Sequence, residues 1–259
     1  MQKMMGLLRR CVEDYDMIAD GDKIAVGVSG GKDSLVLLKL MAALRQYHNK
    51  KFELEAITID MGLGMDYAPV ARLCQQLDVP YHIVKTEIAP IIFDHRKEKN
   101  PCALCAKMRK GALNAKALEL GCRKIAYAHH RDDFIETSVM NLFLEGRYDC
   151  FPPVTQLDKT GLQVLRPMLY VDERDVIGFT RKYELPVVAN PCPADGKTRR
   201  EDVKQYIRES RKQFPNLRES LFSNNKQNFF TTANLYPLSC IGVVTNRISQ
   251  ITSICNRGS

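Results

Sequence analysis

The 259-residue chain has no tryptophan, and no apolar run reaches the ~18 residues of a membrane-spanning helix. Its longest apolar stretch, Leu35 to Leu44, is interrupted by Lys39. The amino terminus carries Lys3, Arg9 and Arg10 but runs directly into Val12-Glu13-Asp14-Tyr15-Asp16, which excludes the apolar core of a signal peptide. No internal repeat is present. With 45% apolar and 26% charged residues, 15 Gly and 12 Pro, the composition excludes a collagen, a coiled coil and a fully disordered chain. A cytoplasmic protein of one large α/β domain or two small ones is expected, long enough to bury a sizeable core.

Charge and cysteine are what the chain has in excess. Lys and Arg number 38 against 30 Asp and Glu, a formal net charge of +8. Nine cysteines in such a setting point to metal or redox chemistry rather than to disulfides. Cys11, Cys74, Cys122 and Cys150 read as buried small hydrophobes.

Short apolar segments alternate with helical patterns. Strands are expected at Lys23–Val28, Leu54–Asp60, Tyr81–Val84, Lys124–Ala128 and Val164–Pro167. Helices are expected at Ser34–Tyr47, Asp66–Leu77, 103–120, Asp132–Leu144, Asp172–Glu184 and Arg199–Phe214. This order predicts a Rossmann-like parallel sheet with flanking helices. The division expected is an N-terminal helical segment over 1–20, one domain over 21–222 and a separate tail over 223–259. The tail has no Asp or Glu and only Lys226, Arg247 and Arg257 charged, and suits a disordered or appended segment.

Between the first strand and its helix lies Ser29-Gly30-Gly31-Lys32-Asp33-Ser34. Two glycines let the backbone turn tightly toward a ligand, and amide groups at a helix N-terminus favour an anion. Ser29 and Ser34 add hydroxyls and Lys32 a cation. A Walker A loop is excluded, because Val26 stands where its first glycine belongs and Asp33 follows the lysine. The dinucleotide fingerprint fails at Ser29 and Lys32.

Pro101-Cys102-Ala103-Leu104-Cys105 pairs two cysteines at a helix start, where the helix N-terminus and Lys107, Arg109 and Lys110 should favour thiolates. Cys192, between Pro191 and Pro193, is the best third ligand. Three cysteines leave a position open, and the residues alone admit an iron–sulfur cluster, a zinc site or a redox pair. Asp132 and Asp133 follow His129-His130 at a strand end, where they either cap a helix or hold Mg²⁺ and orient substrate. Asp60 ends the second strand on the same edge, near the expected nucleotide. Arg200, Lys204, Arg208 and Arg211 share one helix face, and with Lys107, Lys110 and Lys116 they suit a polyanionic partner.

Taken together, these motifs resemble the PP-loop ATP pyrophosphatases, within the adenine nucleotide alpha hydrolase-like folds. The PP-loop, Cys102-Ala-Leu-Cys105-Ala-Lys-Met-Arg109, His129-His130-Arg131-Asp132-Asp133, Arg166-Pro167 and Cys192 resemble the tRNA 2-thiocytidine synthetase family over about Leu8 to Arg218. The resemblance implies ATP and Mg²⁺ at Ser29, Gly30, Gly31, Lys32, Asp33 and Ser34, with Asp60, His129 and Asp133 contributing. It implies a 4Fe–4S cluster on Cys102, Cys105 and Cys192, and catalytic roles for Cys102, Cys105, Arg109 and Asp132. Asp195 departs from the family, standing where the second cysteine of its second pair is found. The implied partners are tRNA and a sulfur donor such as a cysteine desulfurase or sulfide, with no membrane. A homodimer contacted through residues 1–20 is a further expectation. The implied reaction adenylates the C2 oxygen of an anticodon-loop cytidine and replaces it with sulfur. Thiolation of another tRNA base, a PP-loop ligase adding an amine, and a non-catalytic nucleotide-binding redox sensor are the rival readings.

Overall fold

The computed structural model describes residues 1–95, 101–189, 191–192 and 199–223. Asp195, residues 96–100 and the tail from 224 onward lie outside the described residues.

The first compact unit spans Met1–Glu209. Its strands are β1 (Asp22–Gly27), β2 (Phe52–Asp60), β3 (Tyr81–Lys85), β4 (Lys124–Ala126), β5 (Val154–Leu157) and β6 (Leu162–Leu165). Its helices are α1 (Gln2–Asp14), α2 (Lys32–Tyr47), α3 (Ala68–Gln76), α4 (Pro101–Glu119), α5 (Arg131–Glu145), α6 (Glu173–Lys182) and α7 (Arg199–Ser210). The sheet order is β3-β2-β1-β4-β6-β5, parallel except for the antiparallel β5–β6 pair. The chain walks outward from β1 to β3, then returns to place β4 on the other side of β1. The crevice between the C-terminal ends of β1 and β4 is therefore the switch point where open α/β sheets bind ligands.

The helix α2 is apolar almost all round, which makes it a core helix rather than a surface one. Leu35, Leu37, Leu38, Leu40, Met41 and Leu44 on it are buried, each worth about 1.5–3 kcal/mol as an upper bound. It packs against both α1 and α6. The α1 face that meets it buries Leu8, Cys11 and Val12. On another side of the core, Leu113 and Ala117 of α4 cluster with Ala25, Ile57, Ile125 and Leu162. This contact fixes α4 over β1, β2, β4 and β6, and so fixes where the cysteine pair at its start can lie.

The expected α/β alternation is present, with one strand more than expected. β5 joins β6 through a hairpin in which Gly161 has φ +68° and its amide donates to the Leu157 carbonyl at 2.8 Å. Val154-Thr-Gln-Leu157 and Leu162-Gln-Val-Leu165 carry the alternation of a hairpin, a signal obscured by the Pro152-Pro153 pair just before it. Residues Pro90–His95 form a short π-helical turn. The second compact unit begins at Ser210. Its described part turns through Phe214, whose amide donates to the Ser210 carbonyl at 2.9 Å, into a helical stretch over 217–223.

Candidate active site

The phosphate loop leaves β1 at Gly27 and enters α2 at Lys32. Gly30 has φ +84°, a conformation that favours glycine. Ser34 organises the turn. Its hydroxyl donates to the Gly31 carbonyl at 2.9 Å and accepts from the Ser29 amide at 3.1 Å and the Ser29 hydroxyl at 3.2 Å. The Gly31 amide in turn donates to Ser29 Oγ at 3.3 Å. No side chain of the N-cap residue, Gly31, caps α2, so its first amides are left to an anion. Lys32 Nζ rests on Asp33 at 3.0 Å and Glu173 at 3.3 Å. Burial works against its charge, but Asp33 and Glu173 outweigh burial and hold its pKa above the usual lysine value.

The end of β4 supplies a second wall. His130 is buried and closes a reciprocal cap on α5: its Nδ1 accepts from the Asp133 amide at 3.3 Å, and Asp133 Oδ2 accepts from its amide at 3.0 Å. An accepting Nδ1 puts the ring proton on Nε2, which lies 3.6 Å from Asp33 Oδ1. Asp132 is turned elsewhere, its carboxylate accepting from the Glu173 amide at 2.7 Å. Asp133 also pairs with Arg200 at 3.0 Å, and Arg200 reaches Glu136 at 3.4 Å. Burial pushes Glu136 up to about 7 despite Arg200.

A cavity of about 510 Å³ opens between these walls. Its lining includes Ser29, Gly31 and Ser34 of the loop, the apolar Ile57, Ile59 and Leu113, and Tyr127, His129 and Arg166. Burial, reinforced by Arg166, lowers His129 to about 4, so its ring is neutral at pH 7. A smaller cavity of about 170 Å³ shares Ser29, Gly31, Ile59 and Arg109 with the first and is bounded by Met61, Tyr67 and Val188. Arg109 of α4 thus lines both. Asp60 lines neither: its Oδ1 accepts from the Gly62 amide at 3.1 Å.

Cys102 and Cys105 sit in the first turns of α4, Cys102 exposed and Cys105 half-buried with its Sγ 3.5 Å from Met61 Sδ. Burial raises the Cys105 pKa, Arg109 opposes that, and the neighbouring Cys192 and Cys102 add to the rise. The same interactions bring Cys192 into the range of the pair. Among the described residues no group of three or more His, Cys, Asp or Glu can hold a single metal ion. A lone zinc would draw its thiolates to about 3.8 Å from one another at Zn–S distances of ~2.3 Å. A polynuclear cluster takes the same soft sulfur ligands through separate irons, so an all-cysteine donor set is chemically compatible with it.

The structure modifies the basic stripe on α7. Arg200 and Lys204 turn inward, Lys204 to Glu173 at 2.8 Å, leaving Arg208 exposed. Tyr127 and Arg166 in the large cavity carried no assigned role from sequence. The available signal was Arg166-Pro167 at a strand end, where an arginine faces the ligand edge of the sheet. Among the described residues no helix is long and apolar enough to cross a membrane.

The profile of the PP-loop domain matches residues 4–211. The tRNA-cytidine(32) 2-sulfurtransferase of Geobacter sulfurreducens is 37% identical over 224 residues, covering 85% of this chain and 87% of the relative. The protein of the same name from Geobacter metallireducens is 36% identical over 254 residues, 96% of each chain. Among solved structures, the U34-tRNA thiolase NcsA from Methanococcus maripaludis with its [4Fe-4S] cluster superposes with a TM-score of 0.68 at 23% identity, over 86% of this chain and 77% of that one, a likeness of fold. With its phosphate loop, switch-point cavity and sequence matched over this length, the chain belongs to the PP-loop family, alongside the tRNA-cytidine(32) 2-sulfurtransferases.

Proposed function

We propose that this enzyme thiolates tRNA in an ATP-dependent reaction at the C2 position of a cytidine. The observation that carries the reading is the cavity joining the phosphate loop to Arg109, on the helix that bears Cys102 and Cys105. Activation and sulfur entry can then occur at one base without its release.

The uncapped amides of α2, with Ser29 and Ser34, bind the β and γ phosphates of ATP. The cytidine O2 attacks the α-phosphorus; the new O–P bond forms as the bond to the β-phosphate oxygen breaks, and pyrophosphate leaves. Lys32 and Arg109 stabilise charge on the phosphates, Arg109 through its planar donor fork. Sulfide then forms a bond to C2 and gives its proton to solvent; sulfur from a cysteine desulfurase persulfide enters the same way once a thiol reductant has released it as sulfide and become a disulfide. The C2–O2 bond breaks and AMP departs with the former O2. Asp132 acts through Glu173, whose amide it holds and whose carboxylate positions Lys32. Asp33 and Asp133 both line the cavity and offer oxygens for Mg²⁺, each beside a cation, Lys32 and Arg200 respectively. Cys102, Cys105 and Cys192 would hold the 4Fe–4S cluster, which when bound supplies an iron open to sulfur.

Mass spectrometry of tRNA nucleosides from cells with and without the gene tests this reading. Selective loss of 2-thiocytidine is expected. Unchanged 2-thiocytidine contradicts it.

A further inference from the structure

The part of the large cavity farthest in sequence from the phosphate loop is the least explained by ATP chemistry. Arg166 is only 8% exposed, yet no carboxylate pairs with it among the described residues. Its Nη1 donates to the Pro152 carbonyl at 2.5 Å and to Thr155 Oγ1 at 2.9 Å, and its guanidinium lies 4.8 Å from the Phe151 ring centroid. These contacts hold the group in place without neutralising it. A desolvated charge with no counter-charge is costly, and such groups concentrate at functional sites.

Three polar atoms in this corner are buried with no hydrogen-bond partner among the described residues: Arg166 Nε, Tyr127 Oη and His129 Nδ1. All three residues line the cavity. The rings of Tyr127 and His129 lie 5.9 Å apart, and Phe151 backs His129 at 4.9 Å. One such orphan is a packing defect; three in one corner of a cavity make a set waiting for a polar ligand.

We propose that Tyr127, His129 and Arg166 form the floor that reads the polar edge of the target cytosine, an assignment that rests on the thiolation reading above. The inventory matches. Arg166 can only donate, and cytosine offers adjacent acceptors at N3 and O2. The Tyr127 hydroxyl and a neutral His129 nitrogen can accept from the exocyclic N4 amino group. Uracil reverses two of these groups: its N3 carries a proton and its O4 accepts. It would set a donor against Arg166, which cannot accept, whereas the Tyr127 hydroxyl can turn to donate to O4, so the discrimination rests on Arg166. Adenine, which lacks two adjacent acceptors, suits the apolar side formed by Val28, Ile57 and Ile59 instead.

Tyr127→Phe and Arg166→Lys test the floor in the full-length protein. The probes are a non-hydrolysable ATP analogue and two anticodon-stem-loop hairpins, one with the target cytidine and one with uridine in its place. Tyr127→Phe removes a hydroxyl that has no hydrogen-bond partner among the described residues, so its melting temperature should equal or exceed the parent's. ATP-analogue affinity should stay within about twofold, while kcat/KM for hairpin-dependent pyrophosphate release falls about tenfold. Arg166→Lys should cost about a hundredfold and narrow the preference for cytidine over uridine. Loss of ATP-analogue affinity with hairpin binding unchanged would overturn the proposal and place adenine on the floor. Unchanged binding of both probes would also overturn it. If the parent protein releases pyrophosphate with neither hairpin, the thiolation reading fails, and direct hairpin binding by the two variants still judges the floor.

Discussion

Ser29 to Ser34 keep their shape through bonds among themselves, whereas Cys102, Cys105 and Cys192, the proposed cluster ligands, depend for their placement on contacts made elsewhere. The phosphate loop is closed by the Ser34 hydroxyl and the Ser29–Gly31 bond, all within six residues. An anion entering it finds the amides already oriented, so little reorganisation is needed. The cysteine site has no such local frame. Cys102 and Cys105 are placed by α4, which is anchored at its far end through Leu113 and Ala117. Cys192 follows a segment tethered where the Val188 amide donates to the Gly30 carbonyl at 3.0 Å. The Val188 segment that precedes Cys192 in the chain is thus tied to the phosphate loop at Gly30.

Cys105→Ala should separate the regions most sharply. Thiolation should be abolished, while ATP affinity stays within about twofold and RNA-dependent pyrophosphate release persists. Joint loss of both activities would show that the cysteine site also shapes the nucleotide site. Gly30→Ala should strike both through their link. Its new Cβ would stand 3.1 Å from Val188 Cβ at a backbone φ of +84°. An ATP-affinity loss of about a hundredfold is expected, with faster alkylation of Cys192 and no change at Cys102.

A smaller effect should come from Glu136, behind the Asp133–Arg200 pair. Folded Glu136 keeps its proton up to about pH 7, against 4.5 for the ordinary carboxyl. Between those values the folded state binds more protons than the unfolded one, so this group's contribution to stability falls as pH rises. His129, lowered from 6.5 to about 4, has the opposite slope over its own window, so the two offset each other between about pH 4.5 and 6.5. Glu136→Gln should therefore stabilise the protein by about 2 kcal/mol more at pH 8 than at pH 5, measured by denaturant unfolding. The smallest change belongs to a contact outside both regions. Lys3→Ala breaks the exposed end of the Lys3–Asp175 pair and should alter stability by less than about 1 kcal/mol.

What could be read in the sequence follows the same division. A loop whose frame is local is written contiguously, and Ser29 to Ser34 could be located from its glycines, its hydroxyls and the strand before it. The buried strands and the apolar α2 were legible for a similar reason, since periodicity and burial are properties of short segments. The hairpin β5–β6 was missed although its alternation was present, because two prolines mask its entry. The partial burial of Cys105 was not legible, because nearby cations are visible in sequence and burial is not. Tyr127, His129 and Arg166 belong to two different strand ends, and only the adjacency of β4 and β6 makes them one surface. Asp132 and Asp133 look equivalent in sequence; the reciprocal cap with His130 sends one toward the cavity and the other to the Glu173 amide.

The central claim is that O2 of the base attacks ATP and leaves as part of AMP. A hairpin carrying ¹⁸O at the C2 oxygen of its target cytidine, incubated with the enzyme, ATP and a sulfur donor, tests it directly by mass spectrometry of the products. The account predicts the label in AMP, in amounts equal to the 2-thiocytidine formed, with unlabelled pyrophosphate. Thiolation with the label found in water, or in pyrophosphate, would contradict it.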